Sequence, residues 1–240
     1  MTAGPAGERG FEPPPYPYDR LAALGSVAEE LPGGLVDLSV GTPCDPPPPA
    51  ALEAMASSGT ERGYPPSIGT AALRESAAGY LGRRFNVEIE PAQVAACVGT
   101  KELVASTAWY LRLRRPTRDT VLGPAVAYPT YAMGATLAGC RYVAVPDGPD
   151  GRPDLGSLSA DDAERAVVLW VNSPSNPTGA LLDLDEAAGW GRERDVPVWS
   201  DECYAEFTWD GRPRTILESG ADNVVAVHSL SKRSNLPGLR

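Results

Sequence analysis

The sequence predicts an α/β protein built on a mostly parallel sheet with helices on both faces, and three observations predict it. Short Val-rich apolar runs recur along the chain, amphipathic helix candidates lie between most of them, and the runs are continuously apolar instead of alternating with polar residues. Continuous runs suit strands buried on both faces, and alternation of strand with helix calls for parallel pairing. Ligands of such sheets sit outside the carboxyl ends of the strands, so the residues that follow each strand are where chemistry is expected.

Taken in order, residues 1–20 are rich in Gly, Pro and Tyr, cannot sustain a helix and suit an extended arm. A short helical stretch is expected over 21–31 and a brief strand over 36–40. A loop follows, from Gly41-Thr42-Pro43 through the Pro46 to Pro49 run. The regular pattern then places strands at 94–98, 120–122, 142–145, 166–171, 197–199 and 223–227, with helices at 101–113, 131–138 and 184–194. No repeat of 20 to 50 residues is present.

Composition narrows the function classes. The 240 residues are enough for one large domain, or one plus part of another. A net charge of −10 gives no electrostatic footprint for nucleic acid or for an anionic membrane surface. Gly and Pro, 25 of each, are abundant, but 42% hydrophobic residues place the chain among loop-rich globular proteins and not among disordered ones. The four cysteines, Cys44, Cys97, Cys140 and Cys203, form no CxxC pair, and His228 is the single imidazole, so no metal site is expected. No apolar run reaches the length of a membrane span and no secretory signal pattern is present, which makes a reduced cytoplasmic protein the expectation.

Four strand ends carry unusual chemistry. Strand 94–98 runs into Gly99-Thr100-Lys101-Glu102, where a Gly and a small hydroxyl residue open a helix and offer backbone N–H groups to an anion. Strand 166–171 leads into Asn172-Ser173-Pro174-Ser175-Asn176-Pro177-Thr178-Gly179, in which Pro177 holds Asn176 extended. Strand 197–199 ends in Ser200-Asp201-Glu202-Cys203-Tyr204, a carboxylate that is costly to bury unless it meets a cation or several donors. Strand 223–227 is followed by His228-Ser229-Leu230-Ser231-Lys232-Arg233, and a lysine beside a buried strand can be desolvated enough to act as an amine nucleophile. Each alone also has an ordinary reading: a helix cap at Thr100 or Asp201, a plain turn at Asn176, a surface cation at Lys232.

The four motifs in this order, with an Arg eight residues beyond Lys232, resemble the pyridoxal phosphate aminotransferases of class I/II, fold type I. The resemblance covers about residues 35–240, with 173–179 and 229–240 its most specific parts. It implies that Lys232 holds the cofactor aldehyde and later shuttles a proton, that Asp201 pairs with the pyridine nitrogen, and that Asn176 and Tyr204 hydrogen-bond the ring oxygen. It further implies that Tyr128 stacks on the ring, and that Gly99, Thr100, Lys101, Ser229 and Arg240 hold the phosphate. Tyr64 matches the tyrosine that reaches the neighbouring subunit's phosphate, which implies a homodimer, and Gly41 matches a loop that approaches the substrate carboxylate, a group near which Asn176 also falls. His228 matches no role and reads as a packed histidine.

Within the family, residues 229–240 and 99–102 look most like the succinyldiaminopimelate aminotransferases of lysine biosynthesis, which implies N-succinyldiaminopimelate with 2-oxoglutarate and glutamate as small-molecule substrates. The family pattern divides the chain into 1–45, an N-terminal arm with part of the small domain, and 46–240, a cofactor-binding large domain. The sequence stops inside a motif, so the C-terminal small domain is expected to be missing from it. A β-lyase on the same scaffold and a non-catalytic cofactor-binding module share these residues. Neither GxGxxG nor GxxxxGK[ST] occurs, which disfavours a plain nucleotide-binding protein.

Overall fold

In the computed structural model the Val-rich runs form a five-stranded sheet: β1 (Thr120–Pro124), β2 (Arg141–Val145), β3 (Ala166–Asn172), β4 (Val198–Asp201) and β5 (Val224–Val227). Their order is β2-β1-β3-β4-β5 and every pairing is parallel. The structure describes residues 11, 13–41, 43–59, 62–149 and 151–239, and the chain divides into two compact units, Met1–Gly41 and Thr42–Arg240. In the first, a 3₁₀ turn (Pro17–Leu21) leads into α1 (Ala22–Glu29), neither of which buries a residue.

The second unit adds α2 (Pro49–Ala56), α3 (Ala71–Phe85), α4 (Thr100–Arg114), α5 (Thr130–Leu137), α6 (Ala160–Glu164), α7 (Leu184–Glu193) and α8 (Leu230–Arg233). Alternation along the strands feeds two cores. Leu169 and Val171 of β3 join Leu122, Val198, Val224 and the α6–α7 residues Ala163, Leu184, Ala187 and Trp190. Val168 and Trp170 join Val121, Val227 and the α4–α5 residues Val104, Ala108, Tyr131 and Ala135. This is why β3 reads as an apolar run: all seven of its residues are buried, and from Val168 to Val171 successive side chains serve opposite faces. Gly134 sets the α4–α5 spacing, since a Cβ there would meet the Val104 carbonyl oxygen at 2.9 Å.

Two expected strands do not form. At 36–40, Asp37 accepts hydrogen bonds from the Ser39 backbone N–H (2.8 Å) and hydroxyl (2.6 Å), so the chain bends, leaving Leu38 88% exposed. At 94–98, an Ala96 N–H bond to the Ile68 carbonyl (2.9 Å) stands in place of a ladder, and Val98 is exposed. Four helices are additions: α2, α3, α6 and α8. α2 starts at Pro49, where the missing N–H costs nothing, so the proline run ends as a helix start and not as a loop. α3 is capped by the Thr70 side chain, which accepts from Leu73 N–H at 3.2 Å, and ends at Asn86 with φ 58°. No helix among the described residues is long and apolar enough to cross a membrane.

Candidate active site

The parallel register sets Asn172 of β3 level with Asp201 of β4, and Asp201 level with Val227 of β5. Three carboxyl ends therefore form one edge, and the polar residues cluster there. Asp201 is 8% exposed. Its Oδ2 accepts from the Tyr131 hydroxyl at 2.9 Å and its Oδ1 from the Cys203 backbone N–H at 3.2 Å. Two donors make the buried carboxylate tolerable, yet both are neutral, and no ion pair of Asp201 occurs among the described residues.

Tyr131 reaches this position because α5 packs against β1 and β2, and its ring stacks on Trp170 of β3 with centroids 5.0 Å apart and planes 22° off parallel. Burial first, and the Asp201 charge second, hold the Tyr131 hydroxyl well above the usual phenol range, so it stays a donor. Tyr128 meets Tyr131 edge-on, at 6.0 Å and 87°. Ring, hydroxyl and carboxylate form a continuous chain.

The loop after β3 is anchored to the same carboxylate residue. Asn172, buried at the strand's end, donates from Nδ2 to the Asp201 carbonyl (2.8 Å), while its Oδ1 accepts from the Asn176 N–H (2.7 Å). Ser173 N–H also donates to the Asp201 carbonyl, at 3.3 Å. The Ser173-Pro174 and Asn176-Pro177 bonds are both cis. In this setting Asn176 Nδ2 lies 3.4 Å from the Tyr204 hydroxyl, so the structure brings together two residues expected to share one ligand atom.

α4 begins beside them. Gly99 caps it with φ 79° and ψ 141°, a conformation that a side chain would strain, and the Cys203 Sγ lies 3.9 Å from Thr100 Oγ1. Burial, with Asp201 adding to it, pushes the Cys203 thiol up, so it stays un-ionised. On the other side, Glu202 N–H donates to the Val227 carbonyl (2.9 Å), which fixes the start of the 228–233 turn next to Asp201. Ser229 caps α8 by accepting from Ser231 N–H at 3.1 Å, and Lys232 sits half-buried on that single turn.

Of the remaining expected residues, Lys101 is exposed on the first turn of α4. Tyr64 is fully exposed. Gly41 belongs to the first unit, and Arg240 lies outside the described residues. His228 does have a polar neighbour: its Nε2 is 3.1 Å from Oε2 of Glu202, whose side chain is wholly buried. Tyr131 and Asn172 are site residues that motif reading passes over. The signal for Asn172 was a polar residue closing an apolar run, and for Tyr131 an aromatic three residues after Tyr128.

Tyr131→Phe deletes one of two donors to a buried charge, so a loss of about 1.5–3 kcal/mol of stability is expected in urea unfolding. A change below about 0.5 kcal/mol, the scatter of neutral surface substitutions, would mean that the hydroxyl does not hold Asp201.

The chain is 43% identical over 238 residues to the 4-dedimethylamino-4-oxo-anhydrotetracycline transaminase OxyQ of Streptomyces rimosus, covering 95% of this chain and 63% of that one. It is 35% identical over 241 residues to the LL-diaminopimelate aminotransferase of Desulforudis audaxviator, covering 95% and 60%. A solved structure of a probable N-succinyldiaminopimelate aminotransferase from Thermus thermophilus superposes with a TM-score of 0.80 at 33% identity, covering 92% and 62%. The chain thus spans about 60% of the length of these relatives. A family model, aminotransferase class I and II, matches residues 34–240, and with that match the protein belongs to the class I and II aminotransferases, a family that depends on pyridoxal 5′-phosphate.

Proposed function

We propose that the protein is a transaminase that moves an amino group between an amino acid and a 2-oxo acid. The observation that carries this reading is Asp201: a buried carboxylate held by neutral donors at the carboxyl edge of the sheet, one strand from the Lys232 turn.

The donor set fits the cofactor's chemistry. Asp201 offers a negative partner to a protonated pyridine nitrogen, Asn176 and Tyr204 offer donors to the ring oxygen, and Tyr128 offers a face to the ring. Gly99, Thr100, Lys101, Ser229 and Arg240 supply backbone donors, hydroxyls and cations to a phosphate. Pyridoxal phosphate, when bound, supplies the electron sink for charge developing at the substrate Cα. Lys232 is the residue that would bind the aldehyde through Nζ and carry the Cα proton as general base.

Tyr64, fully exposed on its own subunit, is free to enter a neighbour's site, which supports a homodimer. On this reading residues 46–240 hold the cofactor, residues 1–45 form the arm and part of the small domain, and Gly41 approaches the substrate carboxylate. The cytoplasm is the compartment proposed.

For the substrate we favour N-succinyldiaminopimelate, with glutamate and 2-oxoglutarate as the second pair, on the likeness to the Thermus structure. The purified protein, loaded with cofactor and given N-succinyl-LL-diaminopimelate plus 2-oxoglutarate, is expected to form glutamate. Glutamate formed only from LL-diaminopimelate, or from neither, would move the substrate elsewhere. Release of ammonia and pyruvate from β-substituted amino acids would replace transamination by elimination.

A further inference from the structure

α8 is a single turn of four residues, too short to hold its own orientation, yet it carries Lys232. The residues on either side of the Ser229 to Lys232 turn are both tied to the segment that follows β4. His228, just before the turn, faces Glu202 at 3.1 Å. Arg233, just after it, lies with Nε 3.8 Å from Oε1 of Glu206. Glu202 and Glu206 in turn bracket Tyr204. Each carboxylate is itself anchored by a hydrogen bond: Glu202 Oε1 accepts from Ile216 N–H (2.8 Å), and Glu206 Oε2 from Arg84 Nε (2.8 Å).

Tyr80 of α3 joins the two ties. Its hydroxyl donates to Glu206 Oε1 at 2.7 Å, its ring lies 4.2 Å beneath the Arg233 guanidinium, and its edge meets the His228 ring at 6.1 Å. The Glu206 carboxyl is held below its usual range despite burial, because Tyr80 and Arg84 donate to it and Arg84 and Arg233 sit beside it.

We propose that Tyr80, Glu206 and Arg233 form a clamp that positions α8, and through it the Lys232 amine, relative to Tyr204. None of the three is assigned a contact with the cofactor or substrate, so they are positioning residues. The inference rests on the reading that Lys232 binds the cofactor.

The test is the pH titration of the visible band that Lys232 forms with pyridoxal phosphate, recorded for the parent, Glu206→Gln, Arg233→Met and Tyr80→Phe, with kcat and KM measured alongside. Positioning predicts that Glu206→Gln and Arg233→Met move the midpoint in the same direction, by about 0.5 pH unit or more. It also predicts that kcat falls about tenfold while KM stays within about twofold, since orientation is lost and ground-state binding is not. Arg233→Lys should recover part of the shift. Bare charge effects would move the two midpoints in opposite directions, because one variant removes a negative and the other a positive group, and that result overturns the proposal. Unmoved midpoints with a lowered melting temperature also overturn it, leaving a structural tie only. If Arg233→Met fails to fold, Tyr80→Phe, which deletes one oxygen, carries the test with a smaller shift of the same sign. A parent without a Lys232-dependent band removes the functional reading itself, and this inference with it, whereas a normal parent band with unmoved variants removes the clamp alone.

Discussion

Lys232→Ala is expected to abolish the visible band with pyridoxal phosphate and to lower kcat/KM by at least about 10³-fold, because it removes the residue proposed as both nucleophile and general base. The chain makes this test unusually clean. Among its 240 residues only Lys101 and Lys232 are lysines, the other 19 of its 21 basic residues being arginines, which do not form imines at neutral pH. Lys101→Ala is therefore the control for the other lysine. It should keep the band and weaken cofactor binding, since Lys101 lies on the first turn of α4 where the phosphate is proposed to sit. Lys232 is half-buried on a four-residue turn, so its truncation should change stability by no more than about 1 kcal/mol, and loss of the band cannot be blamed on unfolding. A band that survives in Lys232→Ala and vanishes in Lys101→Ala would reassign the cofactor lysine and sink the proposed site.

The sheet was legible chiefly at its interior strands, where burial on both faces writes an apolar run; β3, with Trp170 facing one core and Leu169 the other, is the clearest case. The same rule misled at 94–98. Val-rich composition marks a segment able to be a strand, whereas a strand exists only where a neighbour supplies a ladder, and the Ala96–Ile68 bond stands there instead. α3 escaped notice for the opposite reason. Of its fifteen residues only Leu81 and Phe85 are buried, and glycines at 79 and 82 weaken the pattern, so the apolar stripe is too thin to read as a period.

At the candidate site, residues placed by local chemistry at strand ends could be named in advance, and the contacts that hold them could not. Asn176 and Tyr204 stand 28 positions apart and meet through their hydrogen bond. Tyr131 and Asp201 are 70 apart, and Tyr80 and Glu206 are 126 apart. Such pairings follow from strand order and helix packing, which a motif does not contain. His228 shows the limit: the sequence offered it no partner, and the parallel register of β4 and β5 brought the turn that bears it beside the segment of Glu202.

Asp201→Asn is expected to separate stability from function. Asn keeps an oxygen to accept from the Cys203 N–H, and its amide can donate to the Tyr131 oxygen if that hydroxyl turns its own proton aside, so both contacts of the buried side chain survive. What disappears is a charge taken out of water with only neutral donors around it. In the cofactor-free protein that charge is a cost, so the variant should unfold at the same denaturant concentration as the parent or slightly above it. With pyridoxal phosphate bound the charge would become an asset, as the proposed partner of a protonated ring nitrogen. Its loss should lower kcat by about 10²–10³-fold, the magnitude typical of a preorganised electrostatic contact. Paired measurements decide the matter: urea unfolding without cofactor, and turnover with it. A carboxylate kept for structure would give the reverse pattern, a marked drop in unfolding midpoint and little change in turnover. The expected pattern, unchanged stability with lost turnover, identifies a group buried at this strand end for the sake of a cation that it meets only in the bound cofactor.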